Sequence, residues 1–254
     1  MILLFAALAA AAPPSSVTPA TNNQCASLGR SETFSCRATL LSAAGNFAEA
    51  AAAFEQAADV LRLQESADSP VRASQAFAAA GNMWIAAGHP AKASIALDKA
   101  LGAKNLEPVQ HGLAVLDRAR AAEAQGDLKT ARAKVTEASK TISEDPYLWF
   151  FSAALAVRED DIPAAKSAIN RALALAPDSP EVMFEAGHVA KAAGEDAKAR
   201  DYWTSAAAAD PKGPAGRAAR GALALMEVPL TVTNQVATRP DGDGEGPKDE
   251  DIKP

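Results

Sequence analysis

Along the middle of the chain, small and bulky apolar residues recur at helical offsets, with polar residues between them. A lead residue is followed five positions on by Ala, four later by a bulky residue, and three later by Ala again. Five sets fit: Gly45-Ala50-Phe54-Ala57, Gly88-Ala93-Leu97-Ala100, Gly126-Ala131-Val135-Ala138, Asp160-Ala165-Ile169-Ala172 and Gly194-Ala199-Trp203-Ala206. Seven residues before each lead stands another small residue: Ala38, Gly81, Ala119, Ala153 and Gly187. Positions three and four apart share one face of an α-helix, so each set predicts one amphipathic helix. The small residue upstream predicts a second helix whose backbone comes close to it. Gly at the lead position suits a chain reversal that needs positive φ. The predicted unit is helix–turn–helix, and the predicted class is all-α.

Lead residues advance by 43, 38, 34 and 34. Pro146, Pro180 and Pro214 lie 34 apart, where new helices are predicted to begin. Proline is tolerated there because the first helical N–H has no intrahelical partner. Ser69 and Ser179, each just before a proline, are read as N-caps. The residues that lengthen the first two spacings fall near Leu61–Pro70 and Leu101–Pro108.

Five phased helix–turn–helix copies, the last three of them 34 residues apart, resemble the tetratricopeptide repeat family, whose period is 34, in the form found in exported bacterial proteins. The resemblance covers roughly residues 31–226. It implies a right-handed superhelical solenoid of about five repeats, and Pro214–Met226 reads as a C-terminal capping helix. The sequence departs from the family pattern at Asp160, which replaces a turn glycine. It departs again at Val115 and Met183, where Trp149, Phe34 and Phe77 keep the aromatic early in the first helix.

Both ends differ from the middle. Residues Ile2–Ala12 form an apolar run that Pro13 and Pro14 end, and the run is too short to span a bilayer. Residues 1–20 are therefore read as a secretory signal, with cleavage after Ala11 or after Ala20. No Lys or Arg precedes the run; a buried N-terminal helix is the alternative. Residues 21–30 form a lead-in. Cys25 and Cys36 fit a disulfide in an oxidising compartment; two unconnected thiols are the alternative. Residues 227–254 read as a disordered acidic tail, with three basic and six acidic residues in 239–254. The expected location is the periplasm, with no stable membrane insertion after signal cleavage.

About a quarter of the chain is Ala and only 5% is aromatic, which disfavours an all-β protein. The net charge of −6 disfavours a general nucleic-acid binder, which needs a basic face. His89, His111 and His188 do not pair at metal-ligand spacing, and no phosphate loop or nucleophile elbow occurs. Glu159-Asp160-Asp161 is an acidic cluster, but it sits at a predicted turn, where Asp is an ordinary capping residue. A non-enzymatic protein with no cofactor and no metal is expected.

The family resemblance implies that the first helix of each pair lines the concave side of the solenoid, where a partner would bind. Its outward positions carry Gln75, Ala78, Ala79 and Asn82 in the second repeat, and Leu113, Leu116, Asp117 and Arg120 in the third. The fourth repeat offers Tyr147, Phe150 and Phe151, and the fifth Glu181, Phe184, Glu185, His188 and Lys191. The Lys/Asn/Arg set with which some family members clamp a peptide carboxylate is absent except for Asn82. Leu113, Leu116, Arg120, Tyr147, Phe150, Phe151, Phe184 and His188 are the candidate partner-binding residues. The rings are expected either to form an exposed apolar patch or to pack within the repeats. The expected function is a protein–protein interaction scaffold. A self-associating envelope protein and a regulatory subunit of an envelope enzyme are the alternatives.

Overall fold

The structure, a computed structural model, describes Cys25 and residues 28–227. The signal segment and the acidic tail lie outside the described residues. Among the described residues eleven α-helices follow one another: α1 (Arg30–Ala43), α2 (Phe47–Arg62), α3 (Ser69–Ala86), α4 (Pro90–Gly102), α5 (Pro108–Ala124), α6 (Leu128–Ala138), α7 (Pro146–Arg158), α8 (Ile162–Leu175), α9 (Pro180–Ala192), α10 (Asp196–Ala209) and α11 (Pro214–Glu227). They form five antiparallel pairs and a final single helix, in the order the spacing predicts.

The turns show why the period is legible. Gly45, Gly88, Gly126 and Gly194 each end the first helix of a pair at φ between 74° and 81°. Asp160 takes the same left-handed conformation in the fourth pair, at φ 59°. Asp is one of the few side chains that visit this region readily. The acidic cluster is absorbed by the same turn, since Asp161 accepts a hydrogen bond from the Ala164 N–H and caps α8. Asp127, Asp145 and Ser179 cap α6, α7 and α9 in the same manner. Ser69 differs from its predicted role: it is the first residue of α3, buried, with Asp68 before it. Its hydroxyl lies 2.9 Å from that of Ser66.

Alanine sets the packing. The repeated Ala residues of the second helices are wholly buried, as are Ala38, Ala119 and Ala153 of the first helices. Gly81 and Gly187 let their partner helices approach closely, against Leu97 and Trp203. The few large apolar residues fill the space between repeats. Leu116, Val115, Leu148, Phe151 and Leu155 form one cluster between the third and fourth repeats. Phe184, Trp203 and Ala219 form another, which seats α11 on the fifth.

Ion pairs tie neighbouring repeats together: Glu32–Arg72 at 2.5 Å, Asp98–Arg118 at 2.9 Å, Arg132–Glu159 at 2.5 Å and Lys166–Glu195 at 2.6 Å. Cys25 and Cys36 are joined by a disulfide, with Cα atoms 5.9 Å apart. It pins the segment before α1 to that helix. Thr33 Oγ1 adds a hydrogen bond to the Cys25 carbonyl at 3.1 Å.

Candidate functional site

Helices pack closely within each pair and between a second helix and the next first helix. First helices also touch directly, at α3/α5, α7/α9 and α9/α11, whereas no two second helices pack as closely. That asymmetry curves the stack and puts the first helices on its inner side.

Between α3 and α5 the inner side opens into a hollow of about 370 Å³ lined by Gln75, Ala78, Ala79, Asn82, Leu106, Gln110, Leu113, Ala114 and Asp117. Small residues on α3 make the space, and Leu113 stands exposed beside it. Amide and carboxylate groups bridge the two helices. Gln75 Nε2 donates to Gln110 Oε1 at 3.1 Å, and Asn82 Nδ2 donates to Asp117 Oδ2 at 2.9 Å. Asp117 also accepts from Arg120 at 2.8 Å. The Arg120 guanidinium lies 5.6 Å from the centre of the Tyr147 ring, and Tyr147 stacks on Phe150 at 5.4 Å. A continuous surface of Leu113, Asp117, Arg120, Tyr147 and Phe150 thus runs from the third repeat to the fourth.

The charges on this face are largely internally matched. Glu32 pairs with Arg72, Asp117 with Arg120 and Glu123 with Arg158. The Arg72 guanidinium holds the Glu32 carboxyl down at about 2. All three pairs join side chains of first helices.

Not all expected groove residues are available. Leu113 and Tyr147 are 43% and 41% exposed, whereas Leu116, Phe151 and Phe184 are only 2%, 8% and 9% exposed. These three belong to the clusters between repeats. In a stack whose facing positions are mostly Ala, the scarce large side chains are drawn inward to close the gaps. Phe150, Arg120 and His188 are half-buried. The His188 ring meets Phe184 edge-on at 4.5 Å and Trp203 at 5.3 Å. Burial lowers its pKa to about 4, so it is neutral at pH 7. Glu185 also departs from its expected outward position: it is 2% exposed, and burial pushes its carboxyl up to about 8.

Sequence reasoning missed Leu106, from the lengthened connection, and Gln110 and Ala114 of α5. It also missed a second cavity, of about 400 Å³, at the edge of the solenoid where α2, α3 and α4 meet. Among the described residues no cluster of three or more His, Cys, Asp or Glu could hold a metal ion. No helix there is long and apolar enough to cross a membrane.

Eleven sequential helices in phased pairs, curved around a groove of first helices, define an α-helical repeat solenoid. The fold is that of a tetratricopeptide-repeat protein. Solved structures agree. YrrB, described as a tetratricopeptide-repeat protein with an unusual peptide-binding site, is 20% identical, with 76% of this chain and 91% of YrrB covered at a TM-score of 0.51. The Thermus thermophilus repeat protein TTC0263 is 19% identical, with 77% and 99% covered at a TM-score of 0.56. PilW, a type IV pilus biogenesis factor, is 16% identical, with 74% and 96% covered at a TM-score of 0.51. No family model and no curated relative matches the sequence.

Proposed function

We propose that this protein is a non-enzymatic scaffold of the periplasm that holds a segment of a partner protein in the concave groove of its repeats. The observation that carries this reading is the hollow between α3 and α5, open to solvent, with exposed Leu113 beside it and the bridging amides of Gln75, Gln110 and Asn82 along it. A peptide laid there finds apolar contact for its side chains and donors and acceptors for its backbone. Tyr147 and Phe150 extend the surface, and rings of this kind are common anchors at interfaces. The matched charges favour a neutral or apolar segment over a strongly charged one. Two neighbours in fold are described by a peptide-binding site and by a role in pilus biogenesis, which accords with a binding role in the envelope.

Export is supported by the apolar leader in residues 1–20 and by the Cys25–Cys36 disulfide, a bond that persists in oxidising compartments. Self-association is the second reading, favoured by Leu63, Ile95, Val109 and Leu225 exposed outside this hollow.

The test is crosslinking of the protein in intact cells, comparing the wild type with Leu113→Asp and with Tyr147→Ala. Loss of the same crosslinked partner in both variants, with unchanged melting temperature, supports the groove. An identical crosslinked set in all three proteins overturns it. Concentration-dependent mass by light scattering, abolished by Ile95→Asp, would instead favour self-association. The mass of the N-terminus recovered from the periplasmic fraction reports export and processing directly.

A further inference from the structure

We propose that the cavity at the edge of the first two repeats binds a small organic carboxylate with an apolar body and an amide group, of the N-acyl amino acid class. This site is separate from the concave hollow, and the proposal does not depend on the scaffold reading. The cavity holds about 400 Å³, at the small end of the range that suits small ligands.

Its walls come from the two places where the repeat period is broken. Leu61 and Arg62 end α2, Gln64 lies in the lengthened connection that follows and Pro70 opens α3, while Ala103 and Asn105 lie in the connection between α4 and α5. The later repeats hold a 34-residue spacing and lack these extra residues. Leu61, Pro70, Ala73 and Phe77 give an apolar floor.

Three polar features call for a ligand. The Asn105 Oδ1 is buried with no hydrogen-bond partner. A buried amide atom without a partner has lost its water and gained nothing in return, so whichever atom of the carboxamide stands there gains from an amide group in the ligand. Next, Lys99 has no carboxylate partner among the described residues; its ammonium lies 4.9 Å from the centre of the Phe77 ring. Finally, Arg62 stands at the rim, paired only with Asp59 at 3.9 Å, and both side chains are well exposed. No carboxylate lines the cavity. An unpaired ammonium and a guanidinium held only by a long, exposed ion pair, above an aromatic floor and beside an unmet amide, suit an acid with an apolar body. Lys104, at φ 54°, turns the chain just before Asn105; a left-handed Lys carries strain of the kind found at ligand sites.

The test is calorimetric titration of the full chain with N-acetyl-L-phenylalanine. Saturable one-to-one binding is expected. Lys99→Glu should weaken it by about tenfold or more, since the carboxylate loses a charge-assisted contact. Asn105→Leu and the neutral N-acetyl-L-phenylalanine amide should each weaken it as well. Lys99 lies on the exposed face of α4, so its reversal leaves the fold intact and keeps the test valid if Asn105→Leu fails to fold. Leu113→Ala, in the separate hollow, should change nothing. No saturable heat up to about 10 mM acid would overturn the proposal, because a site this weak holds no ligand at ordinary concentrations. Binding that Lys99→Glu leaves intact would overturn it equally.

Discussion

Gly187 and Trp203 face each other across the fifth repeat so closely that a Cβ on Gly187 would lie 2.2 Å from the indole Nε1. The indole cannot retreat freely, because its N–H donates to the Phe184 carbonyl at 3.0 Å. Gly187→Ala should therefore destabilise the protein by about 1–3 kcal/mol, the usual cost of overpacking. The same change at Gly221 tests the explanation. That glycine occupies the equivalent phase in α11, but a Cβ there meets nothing within 4 Å. Gly221→Ala should stabilise by up to about 1 kcal/mol through helix propensity. Urea unfolding of both variants checks the pair. Equal effects would show that the Trp203 contact does not govern the position.

Asp160 offers a second comparison, since it holds by side-chain tolerance the turn that glycine holds in four other repeats. Asp160→Gly should raise stability by about 0.5–1 kcal/mol, because the left-handed conformation costs glycine no steric strain. Gly126→Ala, at φ 81°, should lower it by about the same amount or more. Thermal melts of the two variants should shift in opposite directions.

These turns explain how much could be read in advance. A repeat writes each packing decision several times, so Gly45, Gly88, Gly126 and Gly194 reveal the phase, and Asp160 is recognised by position alone. Phase also identified six residues lining the concave hollow, from Gln75 to Asp117. Phase does not say how deep a side chain sits. Leu116, Phe151, Phe184 and Glu185 share the inward-facing register with Leu113 and Tyr147. Their burial depends on the bulk of neighbours on the adjacent repeat, which no single period encodes. The edge cavity was hidden for the opposite reason. Arg62, Lys99 and Asn105 meet through connections that break the period, so no spacing rule joins them.

Glu185 and His188 on α9 give a pH signature. Burial raises Glu185 to about 8 in the folded chain, against 4.5 for the free side chain. Between those values the folded state holds a proton that the unfolded state has lost. Stability therefore falls as pH rises, by about 1.4 kcal/mol per pH unit. His188 runs the other way: its pKa drops from 6.5 to about 4, so the unfolded chain binds the extra proton in that window and stability rises with pH. The two slopes cancel between about 4.5 and 6.5 and leave Glu185 unopposed from about 6.5 to 8. Stability from urea titrations should drop by about 2 kcal/mol across that upper window in the wild type. Glu185→Gln should flatten the slope there and be the more stable protein at pH 8. A wild type with no slope between pH 6.5 and 8 would contradict the buried acid.

The disulfide yields the last prediction. Cys25 and Cys36 enclose a short loop that carries the start of α1, and Cys25 is buried. Closing a loop of this size restricts the unfolded chain and is worth about 3 kcal/mol in the chain-entropy picture. The bond lies at one end of a solenoid whose stability is largely a sum over neighbouring repeats. Its loss should thus be felt first in α1 and α2, not in the whole stack. Cys25→Ser with Cys36→Ser should speed amide exchange over residues 30–62 and leave α7 to α10 nearly unchanged. Reductant should reproduce that pattern in the wild type and do nothing to the double variant. Uniformly faster exchange along all eleven helices would mean that the repeats unfold as one cooperative unit, with the bridge acting on the whole.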